Sequence, residues 1–177
     1  LMLLLLHAIG LSFASGVVIN EVVINPDGED DDQEWIELHN ASDEDVDVSG
    51  WTIRWGTTDF STESVLGPVV LSAGEYALIG SDMVGAEMLV RLSLGNASSN
   101  SDGIQLVDSE GVIVDTLIYG SPNSDEWVDD SGFVATSMAP VAGSGKAIAR
   151  AVDGVDSDVS GVDFIVSDMP TPASSNA

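Results

Sequence analysis

The chain has no cysteine, four basic side chains and few aromatic residues, and each shortage removes a class of function. Without cysteine there is no disulfide, no thiol nucleophile and no Cys-ligated metal. Arg54, Arg91, Lys146 and Arg150 stand against 30 acidic residues, a formal charge of −26. Such a field repels phosphate backbones and anionic headgroups, which proteins grip through basic patches. Nucleic-acid binding and direct binding to anionic membranes are therefore not expected. The acidity suits a salty exterior, where screening relaxes self-repulsion and cations are the natural partners.

Histidine is nearly absent too. Only His7 and His39 are present, whereas zinc hydrolysis normally uses two or more imidazoles. The G-x-S-x-G elbow of serine hydrolases is missing. Gly143-Ser144-Gly145-Lys146 lacks the leading glycine and the following Ser or Thr of a phosphate loop. Glu34 and Glu37, the obvious pair for glycoside hydrolysis, point to opposite faces of one strand and cannot flank one bond. No enzyme is expected, and no cofactor is required.

Long apolar runs are confined to the N-terminus. Residues 1–16, LMLLLLHAIGLSFASG, carry no charge but fall short of the roughly 20 residues that cross a bilayer. They read as a signal peptide, with Ser12 and Ala14 before a cleavage and Ala14 with Gly16 as a second register. The basic start of such a peptide is missing and the chain opens on Leu, as expected of a clipped N-terminus or a misassigned start codon. No cysteine follows, so a lipoprotein anchor is excluded. The expectation is a secreted or cell-surface protein with one folded domain over 17–177.

What is present is strand and turn chemistry. Val17 to Val23 and Glu34 to Asn40 are β-branched or alternating runs bounded by turn residues. In the second, Ile36 and Leu38 share one face and Trp35, Glu37 and His39 the other, so it reads as half-buried. Asn25-Pro26-Asp27-Gly28 is a turn. Trp51 to Trp55 reads as a third strand. Further strands are expected near 76–79, 89–92, 104–107, 112–119 and 147–150, with 112–119 central because its alternation is imperfect. Eighteen glycines separate these runs, and no segment sustains a helical period. Short strands with turns at intervals of about ten residues fit a sandwich.

Several fixed polar positions carry more. Ile19-Asn20-Glu21, then Glu34-Trp35-Ile36-Glu37-Leu38 with Asn40, then Gly50-Trp51 resemble the I-N-E, E-W-I-E-L-x-N and G-W strands of the lamin-tail domain family. Leu71 to Tyr76, Asp102 to Leu106, and Asp115 before Ile118-Tyr119-Gly120 also match that pattern. So do Ala149-Arg150, Asp153-Gly154-Val155-Asp156-Ser157-Asp158, Asp163-Phe164 and Thr171-Pro172 of its bacterial members. Ala173 stands where Gly is usual, and Val152 where Pro is usual. The resemblance spans roughly residues 17 to 176. It implies an all-β, immunoglobulin-like sandwich of about 7–9 antiparallel strands, non-catalytic and often an attachment module beside exported nucleases or phosphoesterases. The nucleic-acid binding of some eukaryotic relatives does not carry over to a chain this acidic.

Two features suggest ligands. Acidic residues concentrate in three loops, Asp27 to Asp32, Asp125 to Asp130 and Asp153 to Asp163. Asp153, Asp156, Asp158 and Asp163 are the favoured set for a structural Ca²⁺, which takes six to eight oxygens. Trp55 and Trp127 are the candidates for stacking on an extracellular protein or carbohydrate surface, while Trp51 is expected in the core. Asn40-Ala41-Ser42 and Asn96-Ala97-Ser98 fit the glycosylation pattern, which expects both at the surface.

Overall fold

The computed structural model describes residues 16–28 and 32–176; of the expected signal segment only Gly16 falls within them. Twelve strands form among these residues: β1 (Val17–Val23), β2 (Trp35–Asn40), β3 (Val46–Asp47), β4 (Thr52–Gly56), β5 (Thr62–Val65), β6 (Val70–Leu71), β7 (Tyr76–Gly80), β8 (Met88–Leu89), β9 (Asp102–Val107), β10 (Ile113–Tyr119), β11 (Ala147–Arg150) and β12 (Phe164–Ser167). A 3-10 turn spans Asp82–Val84, and a short α-helix, α1 (Ser160–Asp163), precedes β12. A six-stranded sheet runs β12-β11-β1-β2-β7-β8 and a four-stranded sheet runs β10-β9-β4-β5, with β3-β6 as a small ribbon. Among the described strands β7 and β8 alone pair in parallel. This is the expected immunoglobulin-like sandwich; its strands exceed the expected number because several contain only two residues.

The core follows the period-2 pattern. Ile36 and Leu38 from β2, Ile53 and Trp55 from β4, Ile104 and Leu106 from β9, and Ile148 from β11 all face inward, and Trp51 joins them. Large buried apolar side chains of this kind contribute about 1.5–3 kcal/mol each relative to exposure.

Two expectations are corrected here. The strand over 112–119 is not central: β10 lies at an edge of its sheet. Its outer edge is covered, because Ala139 N–H donates to Ile118 O at 2.8 Å and Ile118 N–H donates to Ser160 Oγ at 3.0 Å. The imperfect alternation comes from a register shift between Ile113 and Asp115. Strand β2 is not half-buried but buried throughout, because later segments cover its polar face.

Candidate functional site: two carboxylate clusters about the β1 bulge

Strand β1 carries a register shift between Ile19 and Glu21, so two residues stand where its neighbour β2 has one. Such a bulge frees backbone groups and re-aims side chains. Both effects are used here, one on each face of the sheet.

On the inner face, the freed Ile19 N–H donates to Asp115 Oδ2 at 2.7 Å, and Ile19 O accepts from Arg150 Nε at 2.7 Å. Arg150 closes the triangle by donating from Nη2 to Asp115 Oδ2 at 2.6 Å. Its Nη1 donates to Val155 O at 2.7 Å and pairs with Asp156 at 3.4 Å and Asp163 at 3.6 Å. The Phe164 ring lies 4.5 Å below the guanidinium. One cation thus ties β1, β10, β11 and the 155–163 loop together. Burial lifts the Asp115 carboxyl to about 6, the Arg150 charge working against that rise.

A third carboxylate joins this side. One oxygen from each of Asp115, Asp130 and Asp156 lies within 4.8 Å of the others. Asp130 Oδ1 is buried without a hydrogen-bond partner among the described residues. Burial, then repulsion from Asp115, Asp156 and Asp158, pushes the Asp130 carboxyl up to about 7. These three residues could contribute oxygens to a hard cation, sharing the first and last with Arg150.

On the outer face, the bulge turns Asn20 and Glu21 together toward Glu37, which pairs with Glu21 across β1 and β2. Asn20 Nδ2 donates to Glu37 Oε1 at 3.1 Å and to Asp153 Oδ1 at 3.0 Å. Tyr76 Oη donates to the other Asp153 oxygen at 3.1 Å, and burial with this bond pushes the phenol up to about 12. Glu21 and Glu37 are both 0% exposed. Burial raises both carboxyls, Glu37 to about 7, with Asn20 lowering it and the Glu21 charge raising it further.

The family follows from this same frame: Asn20 and Glu21 on the bulge, Glu37 opposite and Asn40 at the end of β2 are the polar positions of its first strands. The family model for the Lamin Tail Domain matches residues 12–121. The chain belongs to the lamin tail domain family. Comparison with curated proteins gives no match. The matched residues end just after β10, so β11, α1 and β12 lie beyond them, yet β11 and β12 complete the six-stranded sheet of this lamin tail domain.

The four aspartates favoured for Ca²⁺ are not brought to one point. Asp153 lies on the outer face with Asn20 and Tyr76, whereas Asp156 and Asp163 lie at Arg150 on the inner face. Asp163 is further engaged by Ser157, whose N–H and hydroxyl donate to it at 3.0 and 2.7 Å. Asp158 is exposed, with φ +58°, and its N–H donates to Asp156. The loop crosses the end of the sheet, so spacing by two and three divides its carboxylates between two faces.

The tryptophans are corrected as well. Trp55 and Trp127 are 5% and 4% exposed, so neither offers an open ring to a partner. Trp127 packs edge-on against Phe60, and its Nε1 donates to Ser101 O at 2.9 Å. Trp35 and Trp51 are buried too. Of the two Asn-Ala-Ser sites, Asn96 is exposed, but Asn40 is buried and donates to the carbonyls of Glu44, Leu71 and Ser72. It holds a turn and is closed to glycosylation. His39 stacks on Tyr76 at 4.1 Å between ring centroids. Glu34 stands apart from Glu37, accepting from Leu94 N–H at 2.8 Å.

Sequence reasoning missed Arg150, Asp115 and Asp130 as members of one cluster. The available signal was compositional: in a chain with four bases, an arginine that closes a short apolar strand must find buried acids.

Proposed function

We propose that this lamin tail domain protein works outside the cell as a non-catalytic binding or tethering module, attaching to an extracellular protein or carbohydrate surface. The observation that carries the reading is how the clustered polar side chains are used. A general acid or base must come within hydrogen-bond reach of its substrate. Glu21, Glu37, Asp115 and Arg150 are instead buried against backbone groups of their own chain. The acidic exterior and the apolar first sixteen residues support export and surface attachment. The same role would suit an accessory domain of a longer exported hydrolase of nuclease or phosphoesterase type.

The test is retention of the purified full chain on chitin, cellulose, peptidoglycan and immobilised matrix protein, beside assays for glycosidase, esterase and phosphodiesterase turnover. Saturable retention on one surface without turnover is the expected outcome. Turnover abolished by His39→Ala or Glu37→Gln would overturn it.

A second reading, calcium stabilisation, is favoured by Asp130 Oδ1, a buried acceptor without a partner beside two more carboxylates. A ligand that binds only the folded state at about 100 times its dissociation constant adds roughly 2.7 kcal/mol. Thermal unfolding with Ca²⁺, Mg²⁺, chelator and NaCl of matched ionic strength decides it. A Ca²⁺-specific rise in Tm that Asp130→Ala removes supports the site; an equal rise with NaCl rejects it.

A further inference from the structure

Beyond β12 the chain turns back across the outer face of the six-stranded sheet. Residues 168–176 bury none of their own side chains, yet they cover two fully buried glutamates. The segment is held by polar bonds. Thr171 N–H and Oγ1 donate to Glu21 Oε2 at 2.8 and 3.0 Å, and Ala173 N–H donates to Glu37 Oε2 at 2.7 Å. Asn176 N–H donates to Asp153 Oδ1 at 3.2 Å, and its Nδ2 donates to Arg150 O at 2.9 Å. Lys146 pairs with Asp168 where the segment begins, in the open at 2.6 Å. Ala173 adopts φ +57°, a strained angle for any residue with a Cβ. A segment that buries none of its own side chains and is held by part-buried polar bonds belongs to the part of a fold that opens first.

Beneath it, Glu21 and Glu37 face each other from adjacent strands, and Glu21 Oε1 is buried with no hydrogen-bond partner among the described residues. The charged and titratable groups around the pair are Asp153 from the loop after β11, and Tyr76 and His39 from β7 and β2. The four basic side chains are engaged elsewhere, Arg54 with Glu63, Arg91 with Asp32, Lys146 with Asp168 and Arg150 on the inner face. Two buried carboxylates without a cation are cheapest to hold when they keep a proton between them.

We propose that residues 168–176 form a latch, held shut by a proton kept on the Glu21–Glu37 pair and loosened when that proton leaves. Opening admits water to both carboxylates and relieves their desolvation and mutual repulsion. It also removes Pro170 and Pro172 from the wall of a cleft of about 380 Å³, whose other lining includes Trp35, Met83 and Val84.

The direction follows from linkage. The closed state holds its proton to higher pH than the open state, whose carboxyls titrate as ordinary glutamates. Opening therefore increases as pH rises from about 4.5 to about 7 and levels off above that. The experiment is amide exchange of Thr171, Ala173 and Asn176 by NMR on the full chain, each rate divided by its intrinsic rate at that pH. Protection is expected to fall on the order of tenfold or more between pH 5 and 7, with little change above 8. Glu21→Gln is the cleanest variant. Its oxygen keeps both bonds from Thr171, and its amide takes the place of the partnerless Oε1. It should hold the latch shut at pH 8 and flatten the profile, and Glu37→Gln should flatten it too. A wild-type profile that does not vary with pH overturns the proposal, and so does loss of protection in β1 and β2 in step with the latch. An unchanged slope in both variants overturns it as well. The wild-type profile decides alone if Glu21→Gln does not fold.

Discussion

Arg150 and Asp115 meet at 2.6 Å with their side chains 0% and 2% exposed, and their contact joins the two sheets of the sandwich. Removing one partner of a buried pair leaves the other uncompensated, at a cost of about 3–5 kcal/mol. The two partners are not equivalent here. Arg150 also neutralises Asp156 and Asp163, whereas loss of the Asp115 charge leaves the guanidinium with those two acids. Arg150→Met is expected to fall in that range and Asp115→Asn well below it, measured by urea unfolding. The reverse order would mean that something other than Arg150 balances the inner acids.

Ala173 explains itself once its backbone is known. Its φ of +57° is the left-handed region, where a Cβ costs roughly 1–2 kcal/mol and glycine costs little. Glycine is therefore the better fit at this position. Ala173→Gly should tighten the C-terminal segment by up to about 1 kcal/mol, offset in part by the greater freedom glycine has when the segment is open. Slower exchange of Thr171 and Asn176 in the variant is the reading; faster exchange would show that the angle is not strained.

The fold was legible because its signals are local. The β-branched run of β1, the alternation in β2 and the short apolar run of β11 place those strands within a residue of where they lie. Strands β3 and β6 escaped because each contains only two residues, too few to set a period even though Leu71 is buried in the core, and β5 escaped because its residues are mostly exposed and polar. The site was less legible. Asn20, Glu21 and Glu37 could be named from their motif, but their burial depends on a bulge in β1 and on a segment about 150 residues away. The four aspartates of the Ca²⁺ set are divided for the same reason: spacing along 153–163 does not reveal that a sheet divides the loop. The tryptophans failed because Trp127 is covered by a contact with Phe60, from a distant loop.

Two glycines separate backbone strain from collision. Gly111, in the turn between β9 and β10, has φ +85° and open space around it, whereas Gly154 has φ +70° and packs against the outer cluster. A Cβ on Gly154 would collide with Ala41 Cβ and come within 3.2 Å of His39 Cδ2. Gly111→Ala should cost about 1 kcal/mol from strain alone, and Gly154→Ala about 3 kcal/mol as overpacking is added. Denaturation midpoints test the difference. Equal losses would mean that the 153–158 loop moves aside freely, and with it Asp153.

Asp130 gives a pH dependence of definite sign. Its carboxyl is raised to about 7 from an ordinary value of 3.8, first by burial and then by Asp115, Asp156 and Asp158. The folded state therefore takes up a proton between those values, and the stability linked to the neutral form is lost as pH rises through the window. Asp130→Asn cannot ionise, so in the presence of chelator it should raise Tm at pH 8 and leave it nearly unchanged at pH 4. With Ca²⁺ present the sign at pH 8 discriminates further. An ion held by the Asp130 carboxylate would reverse the advantage, because asparagine keeps a carbonyl oxygen but loses the negative charge that binds a hard cation, whereas a cluster balanced by Arg150 alone would leave the variant ahead under both conditions. A lower Tm for Asp130→Asn in chelator would show that the Asp130 charge is held by a bond not seen at Oδ1, and the pH window would then belong to Glu37 and Asp115.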